Sequence, residues 1–238
     1  MPETSDRNRM AGQHDPAEPA PLKMTMKRGM IGRMDALSLD MDTFAPWAET
    51  VARAGPVTVN DLLALPDHGG WRYEVVEGVL VRVAGSRPRA VRVTMRLLRA
   101  LDSYVEEHEL GQVTPPDAVY DFEHTGQPNT GLLPDIGFYV TAREALVEDD
   151  KPYPFAPDLA VEVVSPLQST SDMAVKARRY LRGGTRLVWV IYPHLQRIEV
   201  WHPGDGPSPS TLGMADALDG EEVVPGFQYP VAPLLRDR

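Results

Sequence analysis

A glutamate in the middle of an apolar segment is the feature that most constrains this chain. Residues 157–166 read PDLAVEVVSP, so Glu162 is surrounded by side chains that belong in a core. A second apolar segment opens with Pro134 and Asp135. Burying an isolated carboxylate is costly, and two carboxylates held close together retain a proton unless a cation lies between them. The fold therefore has to supply a cation, and a metal ion is the simplest one to expect.

Strand alternation predicts where the two carboxylates point. Successive side chains of a strand face opposite sides of its sheet, so Glu162 shares a face with Ala160. In the earlier segment Asp135 shares a face with Gly137, opposite to Ile136. If the two strands are neighbours in the sheet, the carboxylates of Asp135 and Glu162 can converge.

The succession of apolar segments predicts an α/β domain, of the α+β kind, with a mixed sheet and helices packed on it. Residues 1–55 are polar and rich in Met and Pro without a sustained period, which predicts a disordered or weakly ordered extension. Residues 56–238 are predicted to form a single domain. Its predicted elements are a hairpin at 73–83, a helix at 87–107, strands at 112–122, 132–140 and 159–164, a helix ending at 181, and strands at 187–192 and 197–201.

The first long helix is predicted to carry two stripes. The apolar residues expected to face the core are Val91, Met95, Leu98 and Val105. A second side of this helix is basic, and arginines there or on the later helix could contact the phosphates of a nucleic acid: Arg89, Arg92, Arg96 and Arg179. An ordinary charged surface is the alternative explanation for each arginine.

The second helix carries three polar residues on one face. Asp172, Lys176 and Tyr180 are spaced four apart, which aligns them along the helix. Ser171 or a neighbour can cap this helix, and two glycines at 183–184 can end it. A short connection after the Glu162 strand would let the helix fold back over the sheet, so that Lys176 approaches Glu162.

Composition narrows the class of function. The chain has no cysteine, which excludes disulfides and thiolate metal sites, and its net charge of −10 argues against a non-specific coat on nucleic acid. No apolar run has the length of a membrane span, so we expect a cytoplasmic protein without membrane contact. The motifs of serine hydrolases, P-loop enzymes and dinucleotide-binding enzymes are missing from the sequence.

The ordered series of motifs resembles the Uma2 family of restriction endonuclease-like proteins, a branch of the PD-(D/E)XK nuclease superfamily. The similarity covers roughly residues 57–235. The residues that carry it are YEVVEG at 73–78, LPD at 133–135, LAVEVVSP at 159–166, Asp172 with Lys176 and Tyr180, LVWV at 187–190, and LDGEEVVPGF at 218–227.

The resemblance implies a Mg²⁺-dependent phosphodiesterase with a restriction endonuclease-like αβββαβ core and an extra N-terminal hairpin. Asp135 and Glu162 would be the acidic metal ligands, with the carbonyl of Val163 as a further ligand, and Mn²⁺ could substitute for Mg²⁺. Lys176 would position the attacking water or stabilise developing charge. Three further candidates for the site are Glu74, Asp172 and Tyr180. No organic cofactor is implied.

Two departures from the pattern leave two hypotheses open. Val164 stands where the superfamily usually has its lysine, and Ala90 stands where many family members carry a histidine. The first hypothesis is a Mg²⁺-dependent DNA endonuclease that acts as a homodimer, because two-fold symmetry suits the cutting of both strands. The alternative is a catalytically inactive nuclease-fold protein that binds nucleic acid or a protein partner.

Overall fold

The structure is a computed structural model, and it describes residues 49–51, 56–64, 72–83, 85–166, 168–204, 206 and 208–236. Most of the predicted N-terminal extension lies outside these residues. Its described part, Glu49–Val51, is a strand that pairs antiparallel with Val79–Val83. The prediction of disorder for the rest of the extension stays a prediction.

Strands dominate the described part of the chain. They are β1 (Glu49–Val51), β2 (Arg72–Val76), β3 (Val79–Val83), β4 (Gly111–Thr114), β5 (Tyr120–Asp121), β6 (Gly131–Leu132), β7 (Ile136–Val140), β8 (Leu159–Val163), β9 (Leu187–Tyr192), β10 (Arg197–Trp201), β11 (Ser210–Leu212), β12 (Ala217–Asp219) and β13 (Gln228–Pro230). The helices are α1 (Val59–Leu63), α2 (Pro88–Glu107), α3 (Thr170–Arg182) and α4 (Val231–Leu235). Within the described residues, no helix has the length and apolar character needed to cross a membrane.

A six-stranded mixed sheet forms the centre of the domain, in the order β11-β10-β9-β8-β7-β4. Strands β4, β7 and β8 are antiparallel neighbours, whereas β8 and β9 run parallel and are joined through α3. When β5 and β6 of the second sheet are left out, the elements follow one another along the chain as α2, β4, β7, β8, α3 and β9. The predicted mixed sheet and αβββαβ order are therefore confirmed.

A second sheet contains the predicted hairpin. Its order is β1-β3-β2-β6-β5, and β2 and β3 pair in register around Glu77 and Gly78. Both turn residues have positive φ, +51° and +79° respectively, as a two-residue turn of type I′ requires. The sequence thus specifies this hairpin locally.

Two apolar cores lie on opposite faces of the central sheet. On one face, Leu159, Val161 and Val163 pack with α2 and α4. On the other face, Ala160 and Val164 pack with α3 and with residues of the second sheet. The alternation expected for β8 is therefore observed, and it directs Glu162 towards α3.

The stripe predicted to be buried on α2 was right at Val105 and at Leu98, which packs against the core, but it was wrong at Val91 and Met95. Its buried apolar residues include Val93, Leu97 and Leu101, spaced four apart, and they continue to Val105. Val91 and Met95 are instead exposed, by 45% and 37%. The helix is rotated from the expected orientation because the spacing of four gives a more continuous stripe along the whole helix.

The chain passes from one sheet to the other immediately before Asp135. The strand predicted at 132–140 is divided: β6 pairs with β2 and β5, whereas β7 pairs with β4 and β8. Pro134 lies at the break and has no N–H to donate to a ladder. Asp135 is consequently placed where the two sheets meet.

Candidate active site

Two carboxylates meet where β7 and β8 begin to pair. Ile136 lies opposite Val161 in the last registered pair of this antiparallel ladder, so Asp135 and Glu162 come directly next to that pair along the chain. The Asp135 amide donates to the Val161 carbonyl at 2.9 Å, and Asp135 Oδ2 accepts from the Val163 amide at 2.8 Å. The carboxylate of Asp135 is thereby held beside Glu162, on the residue that follows Glu162 in β8.

Helix α3 brings a buried lysine to this place. Ser169 caps the helix by accepting from the Asp172 amide, and residues 183–184 end it, as predicted. Lys176 Nζ lies 2.9 Å from Glu162 Oε1 and 2.8 Å from Glu74 Oε1. One turn later, Tyr180 donates its hydroxyl to Glu162 Oε1 at 2.8 Å. The spacing of four thus delivers an ammonium and a hydroxyl to the same carboxylate.

Strand β2 supplies a third carboxylate and a second cation. Glu74 Oε1 also accepts from the Leu133 amide at 3.1 Å. Arg72 Nη1 lies 3.2 Å from Asp135 Oδ1, and Arg72 Nη2 donates to the Leu133 carbonyl at 3.4 Å. Arg72 Nε lies 2.8 Å from the exposed carboxylate of Asp117. The site is therefore assembled from both sheets and α3.

Burial dominates the electrostatics of this cluster. It raises the pKa of Glu162 to about 7, against the lowering effect of Lys176, and Asp135 and Glu74 raise this pKa further. Burial alone would lower the pKa of Lys176, but Glu162 and Glu74 hold that pKa above its usual value. Burial and the nearby carboxylates also raise the pKa of Tyr180. Lys176 and Tyr180 therefore stay protonated at neutral pH.

The cluster has one more buried acid than it has cations. The three buried carboxylates are those of Glu74, Asp135 and Glu162, and they face two cations, Lys176 and Arg72. Full ionisation would leave one negative charge uncompensated in a buried place. Burial is the largest cause of the raised pKa of Glu162, and the excess of acids adds to it against the effect of the neighbouring ammonium.

The donor atoms fit a hard divalent cation. The hydrogen bonds and ion pairs that Glu162 makes with described residues all fall on Oε1, which leaves Oε2 for a further partner. Carboxylate oxygens are the ligands that Mg²⁺ and Mn²⁺ accept, and an added cation would balance the excess charge. Among the described residues, however, no group of three or more His, Cys, Asp or Glu side chains is arranged to hold a metal ion.

The other candidate residues are placed apart from this cluster. Asp172 lies in the first turn of α3, and its Oδ2 is buried without a hydrogen-bond partner among the described residues. Arg96 donates from Nη1 to the carbonyls of Leu234 and Arg236, at 3.0 and 2.9 Å. Arg179 is buried, with Nη2 3.9 Å from Glu77 Oε1. Arg92 is exposed on α2 and Arg89 is partly buried there.

Arg72 is the residue of the cluster that the sequence analysis missed. It precedes Glu74 by two residues in β2, so strand alternation puts both side chains on one face. This two-residue spacing could have indicated that Arg72 belongs to the site. The inference would have required knowing that β2 lies next to the segment containing Asp135, which the sequence did not reveal.

Comparison with known proteins places the chain in a family. Its fold matches the crystal structure of "a putative nuclease belonging to DUF820 from Anabaena variabilis", with a TM-score of 0.63 and 20% sequence identity over 76% of this chain and 98% of that one. Curated proteins give no match. A family model described as "Putative restriction endonuclease" matches residues 59–232, which is most of the chain. The chain therefore belongs to the Uma2 family.

Proposed function

We propose that this protein is a Mg²⁺-dependent DNA endonuclease of the PD-(D/E)XK type. The observation that carries the proposal is the placement of Lys176 Nζ 2.9 Å from Glu162 Oε1, with Asp135 Oδ2 bound at 2.8 Å to the amide of the next residue, Val163. Acids and an ammonium in this arrangement suit the hydrolysis of a phosphodiester. Membership of a family described as restriction endonucleases supports the same class of reaction.

Each residue of the cluster has a distinct role in this proposal. Asp135 and Glu162 would hold Mg²⁺, with the carbonyl of Val163 as a further ligand. When bound, Mg²⁺ supplies activation of water and neutralisation of charge on the phosphate. Lys176 stays protonated and holds its ammonium beside Glu162, where it orients the attacking water and stabilises negative charge. Mn²⁺ can replace Mg²⁺ because both accept oxygen ligands.

Two more residues orient this machinery. Tyr180 fixes the rotamer of Glu162 through its hydroxyl, and Glu74 holds the ammonium of Lys176 through a second ion pair at 2.8 Å. Glu74 is itself fixed by the Leu133 amide. Both are positioning residues, because they act on the acid and the ammonium. Among the described residues Asp172 makes no hydrogen bond or ion pair with either acid, so we assign it to the first turn of α3, where its charge favours the helix dipole.

Plasmid cleavage tests the proposal. The purified full-length protein is incubated with supercoiled plasmid and Mg²⁺ or Mn²⁺, beside Asp135→Asn, Glu162→Gln and Lys176→Met. We expect nicked or linear plasmid from the wild type, and loss of cleavage in all three variants. Asp158→Asn is a matched control, because Asp158 is also a buried aspartate but pairs with Arg143 elsewhere in the domain. Cleavage that survives Asp135→Asn and Glu162→Gln would refute the assigned site.

One observation favours the inactive alternative. Lys176 already neutralises Glu74 and Glu162 in part, and the described residues hold no ready group of three metal-binding side chains. A nuclease-fold protein that binds nucleic acid or a protein would need no metal. Calorimetric titration with Mn²⁺ separates the two functions: the endonuclease should bind Mn²⁺ and lose this binding in Glu162→Gln, whereas the binding module should release no heat.

We also propose that the endonuclease acts as a cytoplasmic homodimer. Cutting both strands of a duplex needs two sites, and two-fold symmetry provides them with one kind of interface. Light scattering coupled to size-exclusion chromatography should give twice the mass of the 26.3 kDa chain. A single-chain mass at micromolar concentration, with or without duplex DNA, would contradict this part of the proposal.

A further inference from the structure

A cavity beside Asp135 has one charged end and one apolar end. Its volume is about 220 Å³. Arg72 and Asp135 form the charged end, and the remaining wall includes Val91, Thr94 and Met95 of α2 together with Pro116. Two of these apolar side chains, Val91 and Met95, are exposed by 45% and 37% although they belong to the regular helix α2.

The guanidinium of Arg72 has unused donor capacity at this cavity. A guanidinium has five N–H groups. Those of Arg72 that donate hydrogen bonds to described residues reach Asp135 and the Leu133 carbonyl. Nε is buried and lies 2.8 Å from Asp117 Oδ1, so the donors left for a ligand are the second N–H groups of Nη1 and Nη2. The side chain of Arg72 is 20% exposed, against 8% for Lys176, so Arg72 is the more accessible of the two cations.

We propose that this cavity binds one nucleotide of the substrate. Arg72 binds a phosphate oxygen of that nucleotide, and the wall formed by Val91, Met95 and Pro116 contacts its sugar or base. The inference rests on the proposed function, because it names the part of the same site that recognises nucleic acid. Guanidinium groups suit phosphate through directed N–H donors, and apolar walls accept the face of any base.

The size of the cavity fits this occupant. Pockets that bury a drug-sized ligand enclose roughly 300–1000 Å³. The present cavity of about 220 Å³ is smaller, so it suits a single sugar or base with its phosphate at Arg72. Val91, Met95 and Pro116 offer no donor to a base, so their contact with it does not depend strongly on its identity, whereas the hydroxyls of Ser86 and Thr94 can bind the sugar or base.

Binding of a labelled oligonucleotide tests the inference separately from cleavage. The probe is a fluorescein-labelled single-stranded DNA of about 12 nucleotides. Its anisotropy is measured with the full-length protein in Ca²⁺, in place of Mg²⁺, over a range of salt concentrations. We expect Arg72→Gln to weaken binding by about tenfold or more. The slope of log K against log salt should fall by about 0.7, as the loss of one phosphate contact on single-stranded DNA predicts.

Arg143→Gln is the matched control for the loss of an Arg–Asp pair. Arg143 Nη2 lies 3.2 Å from Asp158 Oδ1, the same distance as between Arg72 Nη1 and Asp135 Oδ1, and its side chain is 29% exposed. Arg143 does not line the cavity. We expect this variant to bind the probe like the wild type. Equal weakening in both variants, or wild-type binding and slope in Arg72→Gln, would overturn the inference.

Met95 provides a second test that does not disturb Asp135. Because Met95 is partly exposed, Met95→Asp should fold, and its carboxylate should weaken binding of the probe by about tenfold through repulsion of the phosphate. Met95→Leu keeps the wall apolar and should bind like the wild type. Unchanged binding in Met95→Asp, or failure of the wild type to bind the probe, would overturn the inference.

The outcomes distinguish this inference from the proposed hydrolysis. If the wild type binds the probe through Arg72 but never cuts plasmid with Mg²⁺, the hydrolysis is wrong and the nucleotide site stands. If the wild type cuts plasmid and Arg72→Gln binds and cuts like it, the nucleotide site is wrong and the hydrolysis stands.

Discussion

Replacing Lys176 with methionine should destabilise the metal-free protein strongly. Methionine has a similar length but no charge, so Glu74 and Glu162 would lose an ammonium at 2.8 and 2.9 Å. All three side chains are at most 8% exposed. Removing one partner of a buried ion pair typically costs about 3–5 kcal/mol in free energy of unfolding. For a domain of this size, that corresponds to a Tm lower by roughly 6–20 °C.

The loss of unfolding free energy in Lys176→Met should increase with pH. The pKa of Glu162 is raised to about 7 by burial even though Lys176 lowers it, so removal of Lys176 raises this pKa further. A carboxyl whose pKa is raised on folding contributes stability that is present below its unfolded pKa, near 4.5, and is lost as pH rises through the folded pKa. We therefore expect the difference between variant and wild type to be larger at pH 8 than at pH 5.5.

Urea denaturation in EDTA at both pH values measures this difference. Lys151→Met is the control, because Lys151 makes an exposed ion pair with Glu148 and its loss should leave the unfolding free energy nearly unchanged. Adding Glu162→Gln to Lys176→Met should recover part of the unfolding free energy, because it removes the buried carboxylate that has lost its ammonium partner. A Lys176→Met variant as stable as the wild type, or equally destabilised at pH 5.5 and 8, would refute the reasoning.

Three further predictions concern single contacts. Tyr180→Phe removes the hydroxyl that donates to Glu162 at 2.8 Å, and urea denaturation should show a loss of about 1.5–3 kcal/mol; a change near zero would contradict it. Arg96→Gln removes the donor to two carbonyls near the C-terminus, so amide exchange in α4 should accelerate, whereas unchanged exchange would show that these bonds do not hold it. Protons and metal compete for Glu162, so the calorimetric Kd for Mn²⁺ should tighten about tenfold between pH 6 and pH 8. A Kd independent of pH would contradict the assignment of Glu162 as a ligand.

Local patterns in the sequence were sufficient for most of the fold. The strands at 187–192 and 197–201 agree with β9 and β10, and the two-residue turn at 77–78 forms the expected hairpin. The predicted orientation of α2 was wrong because two series of apolar residues overlap in its sequence. Packing against the sheet selects the series through Val93 and Leu97, and that choice is made by tertiary contacts.

Local patterns in the sequence also predicted part of the side-chain cluster at the candidate site. Spacing of four along a helix and alternation along a strand brought Lys176 and Tyr180 to Glu162. The contribution of β2 was less visible, since Glu74 was a lesser candidate and Arg72 was missed. Those contacts depend on the passage of the chain between two sheets at Asp135, and no local pattern specifies which strands adjoin there.

Anomalous diffraction from a crystal soaked in Mn²⁺ tests the central claim most directly. The claim is that Asp135 and Glu162 hold a divalent cation beside Lys176. It predicts one strong anomalous peak about 2.1 Å from an oxygen of each carboxylate, with the Val163 carbonyl as a further ligand. A peak at any other place, or no peak while Lys176 still bridges Glu74 and Glu162, would contradict the claim.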